Sequence, residues 1–272
     1  MKKTFYILAT VSVLWGAAPQ TDRNAPADST AQTGKSKVLA ATRGDVKIIE
    51  ASENIRYLSQ KVAKDYLYYY RYPEDHLIRE KLDNALGKLG SDFRVIATTT
   101  KDKDTKDILE FLAYSKEQIA QIFETAPDEE KAALMLDYSE TLLEGADSIA
   151  AAHKYDFSKE EAMLMSAKKI EYLLQRVMKY YMAVHVGFET PTNKEQMQNA
   201  VKMLEKNLAR IDAYAYPETM KQVKMTLLDS WKKNKYYLDR SDMLFIPGLM
   251  FLSGTYLESV VAQIALYHSK NQ

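Results

Sequence analysis

One twelve-residue pattern occurs twice in this sequence. Residues 55–66 read IRYLSQKVAKDY, and residues 170–181 read IEYLLQRVMKYY. The two stretches share I-x-Y-L-x-Q-[KR]-V-x-K-x-Y and lie 115 residues apart. In each stretch apolar residues recur at spacings of three and four, which is typical of one face of an α-helix. Because a repeat at a fixed offset indicates a repeated structural unit, the pattern predicts two copies of one helical module.

Further matches at nearly the same offset extend the repeat beyond this helix. SETLLEGADSIAAAH at 139–153 resembles SGTYLESVVAQIALYH at 253–268, and LAYSK at 112–116 matches LLDSW at 227–231. The repeated unit is therefore about 110 residues long, which is enough for four helices joined by short loops. Each unit can bury its apolar stripes as an antiparallel four-helix bundle.

Helical periodicity runs from residue 45 to the end of the sequence and predicts eight helices. The chain has only 9 Gly and 7 Pro among 272 residues, and no stretch reads as alternating strands with hairpin turns. The expected helices lie near 45–70, from 74, 105–125, 128–153, 158–186, 193–214, 217–238 and 242–269. We therefore predict an all-α fold with two tandem antiparallel four-helix bundles, at 45–157 and 158–272.

The N-terminal residues are typical of an exported protein. MKK is a short positive segment, TFYILATVSVLW is an apolar segment, and GAA supplies small residues, so we predict a signal peptide at 1–18. Residues 19–44 are rich in Ser, Thr, Ala, Pro and Gln, which predicts a flexible linker. We expect a periplasmic protein, with an uncleaved membrane anchor as the alternative, since no later stretch has 18 uncharged apolar residues.

Composition and motifs exclude several functional classes. The 37 basic and 37 acidic residues balance, which gives no basic face and no reason to expect a nucleic-acid partner. The absence of cysteine excludes thiol catalysis, disulfides and c-type haem attachment. No glycine-rich phosphate loop, nucleophile elbow or defensible acid/base pair occurs. We therefore predict no catalytic residues and no enzymatic activity.

The four histidines do not suggest a metal centre. No Glu-x-x-His pair occurs, so the di-iron bundle pattern is missing, and we predict no metal ligands. His153 and His268 occupy matching positions near predicted helix ends, where a histidine suits the negative end of the helix dipole. We interpret both as helix-terminating residues. A haem held by Met and His stays an open alternative with no axial pair singled out, and we predict no cofactor.

The repeated helix resembles the signature helix of the PilJ/NarX-type sensory module. This module is found outside the membrane in pilus-linked chemotaxis transducers and nitrate sensor kinases, and its pattern is roughly A-G-x-x-R-M-L-S-Q-R-x-A-K. The first copy matches at six positions: Arg56, Leu58, Ser59, Gln60, Ala63 and Lys64. The second copy matches at five: Ala167, Leu173, Gln175, Arg176 and Lys179. The resemblance covers about 45–270, and its specific part is these two helices.

Both copies depart from the family pattern. In the first copy, Ser52 and Glu53 stand where Ala-Gly is expected, Tyr57 replaces Met, and Lys61 replaces the second Arg. In the second copy the differences include Lys168 for Gly, Glu171 for the first Arg and Leu174 for Ser. Such modules also occur in tandem in transducers of this family, as we expect here.

The resemblance implies a ligand site between two such helices. In nitrate-sensing members the first Arg of the motif contacts an anion there, and this role would fall on Arg56. Its planar, permanently charged guanidinium suits an oxyanion. The other candidate ligand-binding residues are the motif side chains Ser59, Gln60, Gln175 and Arg176.

Each assignment has an alternative. Arg56 could be a surface residue or half of an ion pair, with Glu171 as one partner, because Glu171 would repel an anion in a symmetric clamp. Ser59 and Gln60 could be interhelical hydrogen-bonding groups in the core.

The expected function is sensory or ligand-binding, for a small oxyanion or another small molecule. Because the sequence contains no kinase or methyl-accepting region, we expect the protein to act through a membrane receptor or sensor protein. The two repeated helices could pair within one chain or between the chains of a homodimer. The alternative function is a structural or protein-interaction scaffold with no small-molecule ligand.

Overall fold

The computed structural model describes residues 42–240 and 244–272, and these residues form eight α-helices and no strand. The predicted all-α class is thereby confirmed. The predicted signal peptide and nearly all of the predicted linker lie outside the described residues. The helices are α1 (Arg43–Arg71), α2 (His76–Thr99), α3 (Lys103–Phe123), α4 (Glu129–Ala152), α5 (Lys159–His185), α6 (Pro191–Ala213), α7 (Glu218–Leu238) and α8 (Pro247–Lys270).

Capping residues set the ends of the helices. α1 begins two residues earlier than expected because Thr42 and Asp45 form a capping box, in which the Asp45 amide donates to the Thr42 hydroxyl over 3.1 Å. The capping box expected at Ser158 and Glu161 is confirmed at the start of α5. α8 starts later than expected, at Pro247, because proline has no amide hydrogen to donate and suits the first helical turn.

Helices α1 and α5, which carry the repeated pattern, lie at the centre of the packing. α1 contacts α2, α4 and α5, while α5 contacts α6, α8 and α1. The remaining contacts join α2 to α3, α3 to α4, α6 to α7 and α7 to α8. We call α1 and α5 the central helices. All eight described helices belong to one compact unit.

The central helices are buried on most of their circumference. The apolar positions of the pattern are at most 4% exposed in both copies: Ile55, Leu58, Val62, Ile170, Leu173 and Val177. Polar side chains of the same helices are buried as well, including Gln60 and Gln175. A helix covered by neighbours on nearly all sides cannot send its polar groups to water, so these groups require internal partners.

The last tyrosine of each pattern is fully buried and has a distinct contact. The Tyr66 ring stacks on Phe123 at the end of α3, with ring centroids 5.9 Å apart. The Tyr181 hydroxyl accepts a hydrogen bond from the Ile246 amide over 3.0 Å, just before α8. Each tyrosine therefore packs against a helix end of its own half of the chain.

A histidine ties together three helix ends in the first half. His153 is the C-cap of α4, as expected of a helix-terminating residue. Its Nδ1 lies 2.9 Å from an Asp45 carboxylate oxygen in the first turn of α1, and its Nε2 lies 3.1 Å from the Thr105 hydroxyl of α3. Hydrogen bonds from Thr42 and from His153 hold the pKa of Asp45 below its usual value.

The second half repeats this arrangement, with a glutamate in place of the aspartate and a tyrosine in place of the threonine. His268, in the last turn of α8, is fully buried. Its Nδ1 lies 2.7 Å from a Glu160 oxygen in the first turn of α5, and its Nε2 lies 2.8 Å from the Tyr216 hydroxyl. Asp45 and Glu160 lie 115 residues apart, so the carboxylate–histidine bridge belongs to the repeat.

Helix α8 is the one helix among the described residues that is long and apolar enough to cross a membrane by length and composition. The core helix of a soluble protein passes the same test. One side of α8 is buried within the fold, with Leu257, Val260, Val261 and Ile264 at most 3% exposed. Its apolar character therefore follows in part from its place in the core.

The contact between α3 and α4 predicts how a substitution at Gly145 will act. A Cβ at this position would lie 2.5 Å from a methyl carbon of Leu112, which is fully buried and has little room to move. We expect Gly145→Ala to lower the free energy of unfolding by about 1–3 kcal/mol, measured by urea denaturation.

The matched control is Gly87→Ala in α2, where a Cβ would meet no atom within 4 Å. It should raise the free energy of unfolding by about 0.5–1 kcal/mol, because alanine loses less backbone entropy in a helix. Equal stability of Gly145→Ala and the wild type would contradict the close approach of α3 and α4.

Candidate functional site at the contact of the central helices

The five sequence-predicted ligand-binding residues are buried or nearly buried on the central helices. Ser59, Gln60 and Gln175 are at most 1% exposed, while the Arg56 and Arg176 side chains are 12% and 11% exposed. The fold brings Gln60 and Arg176 together, with 3.5 Å between the guanidinium and the amide oxygen. Arg56 and Gln175 lie in separate polar contacts.

Arg56 is held by two carboxylates of its own half. It forms ion pairs with Glu53, one turn earlier in α1, and with Asp147 of α4. Burial raises the pKa of Glu53, and the charge of Arg56 opposes that rise. Glu171 accepts a hydrogen bond from Lys168 over 2.9 Å, so the ion pair considered between Arg56 and Glu171 does not form.

Ser59 and Gln60 make hydrogen bonds inside the fold. The Ser59 hydroxyl donates to the Arg56 carbonyl over 2.8 Å, and the Gln60 amide donates to the Ser139 carbonyl of α4 over 3.1 Å. The Gln60 contact is interhelical, as in the alternative stated for this residue, whereas the Ser59 contact lies within α1.

A carboxylate that the sequence analysis did not single out organises one side of this contact. Glu140 of α4 accepts two hydrogen bonds from the Arg176 guanidinium, over 2.9 and 2.7 Å, and one from Lys179. Arg176 also donates to Gln196 of α6 over 2.8 Å, and Lys179 donates to the Ser139 hydroxyl over 3.0 Å. We call these five residues the Glu140 cluster. It joins α4 of the first half to α5 and α6 of the second.

Burial and charge act in opposite directions in the Glu140 cluster. Burial tends to raise the pKa of Glu140, but the charges of Lys179 and Arg176 outweigh it and hold the pKa below its usual value. Burial lowers the pKa of the Lys179 ammonium to about 8, against the opposing effect of Glu140. The cluster is thus a set of paired charges in which Lys179 is fully buried and Glu140 is partly exposed.

A second carboxylate, Glu258 of α8, occupies the other side of the contact. The Tyr57 hydroxyl of α1 donates to it over 3.0 Å, and the Gln175 amide of α5 also donates to it. Burial and the charge of Glu258 raise the pKa of Tyr57, which keeps the phenol protonated as a donor. Glu258 of α8 is therefore hydrogen-bonded to both central helices.

The motif lysines reach across to the opposite half of the chain. Lys179 reaches α4, whereas Lys64, its counterpart in α1, lies 4.1 Å above the ring of Phe251 in α8. Lys64 and Lys61 also pair with the fully buried Asp65, at 3.2 and 2.8 Å. Burial tends to raise the pKa of Asp65, and the two lysine charges outweigh that effect.

Beside the Glu258 side of the contact lies a concave region of about 690 Å³. Its polar lining includes Asn54, Tyr57, Lys61, Lys81, Lys88 and Lys168. We call it the lysine groove. α1 and α2 form most of its surface, and α5 adds Lys168 and Glu171. Two smaller concave regions, of about 360 and 340 Å³, share Glu171 with it.

No group of three or more His, Asp or Glu residues that could hold a metal ion occurs in the part of the chain that the structure describes. Comparisons of the chain with protein-family models, with curated proteins and with solved structures found no match. The resemblance to the PilJ/NarX-type module therefore stays a prediction that rests on the two repeated helices.

We expect substitutions of two members of the Glu140 cluster to have very different effects on stability. Glu140→Ala leaves Lys179 and Arg176 without a carboxylate in a buried position, and we expect it to lower the free energy of unfolding by about 3–5 kcal/mol. Lys179→Met leaves the Arg176–Glu140 pair in place and fills the same volume with apolar atoms, so its effect should stay within about 1 kcal/mol. Urea denaturation of both variants provides the measurement, and greater damage from Lys179→Met would contradict this assignment.

Lys179 also predicts a dependence of stability on pH. In the folded protein its pKa is about 8, whereas an unfolded lysine titrates near 10.4. Between these values the unfolded state binds more protons, so this group adds stability as the pH rises, by at most about 1.4 kcal/mol per pH unit. From pH 8 to 10, the free energy of unfolding of the wild type should therefore increase relative to that of Lys179→Met. A difference that is flat with pH would show that Lys179 keeps its ordinary pKa.

Proposed function

We propose that this protein is an exported sensory or ligand-binding bundle of two tandem PilJ/NarX-like four-helix modules. In this proposal residues 1–18 direct it to the periplasm, and a small ligand changes the packing of α1 against α5. A membrane receptor or sensor protein then detects the change. The two modules correspond to α1–α4 and α5–α8.

The observation that supports this proposal most is the exchange of polar contacts between the halves. Arg176 and Lys179 of the second half hold Glu140 of the first, and Tyr57 of the first half holds Glu258 of the second. A shift of one central helix along the other would change these contacts together. Buried hydrogen-bonded contacts favour discrete arrangements over continuous ones, which is what a signalling element requires.

The contacts of Arg56 bear on where a ligand would bind. Because Glu53 and Asp147 already neutralise this guanidinium, an anion would have to displace them to reach it. The lysine groove reaches the same pair of central helices and is large enough for a small molecule. A ligand there would touch both halves of the chain through Tyr57 and Lys168.

A second candidate function, a protein-interaction scaffold, is favoured by an exposed apolar row on α8. Leu249, Leu252 and Tyr256 follow one another at spacings of three and four, and Leu252 is 73% exposed. Exposed apolar side chains on one helix face are typical of a surface that contacts another protein. In this case the polar contacts of the central helices would only maintain the fold.

A thermal-shift screen of the purified protein separates the two functions. We expect at least one compound from a panel of nitrate, nitrite, phosphate, citrate, sugars and amino acids to raise the Tm with increasing concentration, because binding to the native state alone stabilises it. The shift should persist in Arg56→Lys, since Arg56 is engaged internally, and in the control Arg210→Lys on the exposed surface of α6.

Loss of the shift in Arg56→Lys, but not in Arg210→Lys, would mean that the ligand contacts Arg56, the arginine of the motif. No shift with any compound, from a protein whose circular dichroism shows it to be folded, would contradict ligand binding. That result would favour the scaffold, for which Leu252→Glu should abolish partner binding.

A further inference from the structure

The lysine groove combines positive charge with an apolar floor. Lys61 of α1, Lys81 and Lys88 of α2, and Lys168 of α5 line it, so three helices bring ammonium groups to one concavity. The buried side chain of Leu58 forms part of the floor. Its volume of about 690 Å³ lies within the range of sites for small molecules.

Two of these lysines form no salt bridge with a carboxylate of the described residues. Lys81 and Lys88 lie seven residues apart on α2 and therefore on the same side of that helix. In the described residues no carboxylate oxygen lies within 4 Å of either ammonium group, whereas Lys61 is bonded to Asp65. Lys81 lies 5.7 Å from the centroid of the Phe251 ring, and the charge of Lys88 acts on Asp92 only from a distance. An anion in the groove would give both ammonium groups a direct ionic contact.

The carboxylates of the groove offset only part of this charge. Asp92 accepts a hydrogen bond from Asn54, and Glu171 accepts one from Lys168. Two carboxylates against four lysines leave a formal excess of two positive charges in the lining. Burial raises the pKa of both Asp92 and Glu171, while the Asn54 hydrogen bond opposes that rise at Asp92 and the charge of Lys168 opposes it at Glu171.

Comparison of the two halves indicates which group is missing. Lys61 corresponds to Arg176, and Arg176 holds the Glu140 carboxylate with two hydrogen bonds. At the repeat offset of 115 residues, the position that corresponds to Glu140 in the second half is Thr255, which carries no carboxylate. The opposite half of the chain therefore supplies a carboxylate to Arg176 of α5, but it supplies none to Lys61 of α1.

We propose that the lysine groove binds a small organic anion with at least two negative charges, carried by carboxylate or phosphate groups. This inference rests on the proposed ligand-binding function. The charged groups of the ligand contact Lys81, Lys88 and Lys61, and its carbon skeleton lies on Leu58 and Ala85. A single small monoanion such as nitrate leaves most of the groove unfilled and balances only half of the excess charge.

Isothermal titration calorimetry at low ionic strength tests the proposal with citrate, glucose 6-phosphate, inorganic phosphate and neutral glucose as probes. We expect citrate or glucose 6-phosphate to bind, and the choice between them identifies carboxylate or phosphate as the recognised group. The double variant Lys81→Gln/Lys88→Gln should weaken binding at least 10-fold. The control Lys206→Gln/Lys232→Gln removes the same charge from exposed sites on α6 and α7 and should change the Kd less than twofold.

The variant Glu171→Gln should change the affinity in the opposite direction from the lysine double variant. Removing this carboxylate releases Lys168 and lessens repulsion of the ligand, so the Kd should fall about threefold. A purely structural role for Glu171 would not tighten binding.

Each failure has a separate meaning. Wild-type affinity in the Lys81/Lys88 double variant would overturn the groove as the site while leaving ligand binding intact. Equal weakening in the control would overturn a defined site in favour of general charge attraction. Stabilisation by a neutral compound alone would overturn the ligand class, and no stabilisation by any compound in the thermal screen would mean that the proposed function itself is wrong.

Discussion

The contact between α1 and α5 is the constraint on which the rest of this structure depends. Both helices are covered by neighbours on nearly every side, so their polar side chains must find partners inside the protein. Those partners come largely from the fourth helix of each half, through Glu140 of α4 and Glu258 of α8. Apolar burial holds the two helices together, and the paired charges connect α5 of one half to α4 of the other.

The two halves repeat their backbone plan but not their charges. At equivalent positions, Arg56 corresponds to Glu171, Lys61 to Arg176, and Glu140 to Thr255. Two halves of one chain can differ in this way because they need not be identical, unlike the protomers of a symmetric homodimer. One side of the central contact is consequently filled by the Glu140 cluster, and the other side retains the lysine groove.

Local sequence signals predicted the helices well, because capping residues and apolar periodicity act within a few residues. The capping box at Ser158 and the helix-ending positions of His153 and His268 illustrate this. The candidate site was predicted less well. Residue types on α1 and α5 indicated a polar contact, but the carboxylates that complete it lie on α4 and α8, far away in the sequence.

The sequence by itself determined the all-α class, the eight helices of the described residues and the repeat at an offset of 115 residues, since each depends on spacing along the chain. Only the tertiary structure decided which charges meet. Arg56 pairs with Asp147 rather than Glu171, and Glu258 joins Tyr57 to Gln175 across the repeat. Partner choice among buried charges depends on the distances between helices that pack side by side, and no periodicity within one helix encodes those distances.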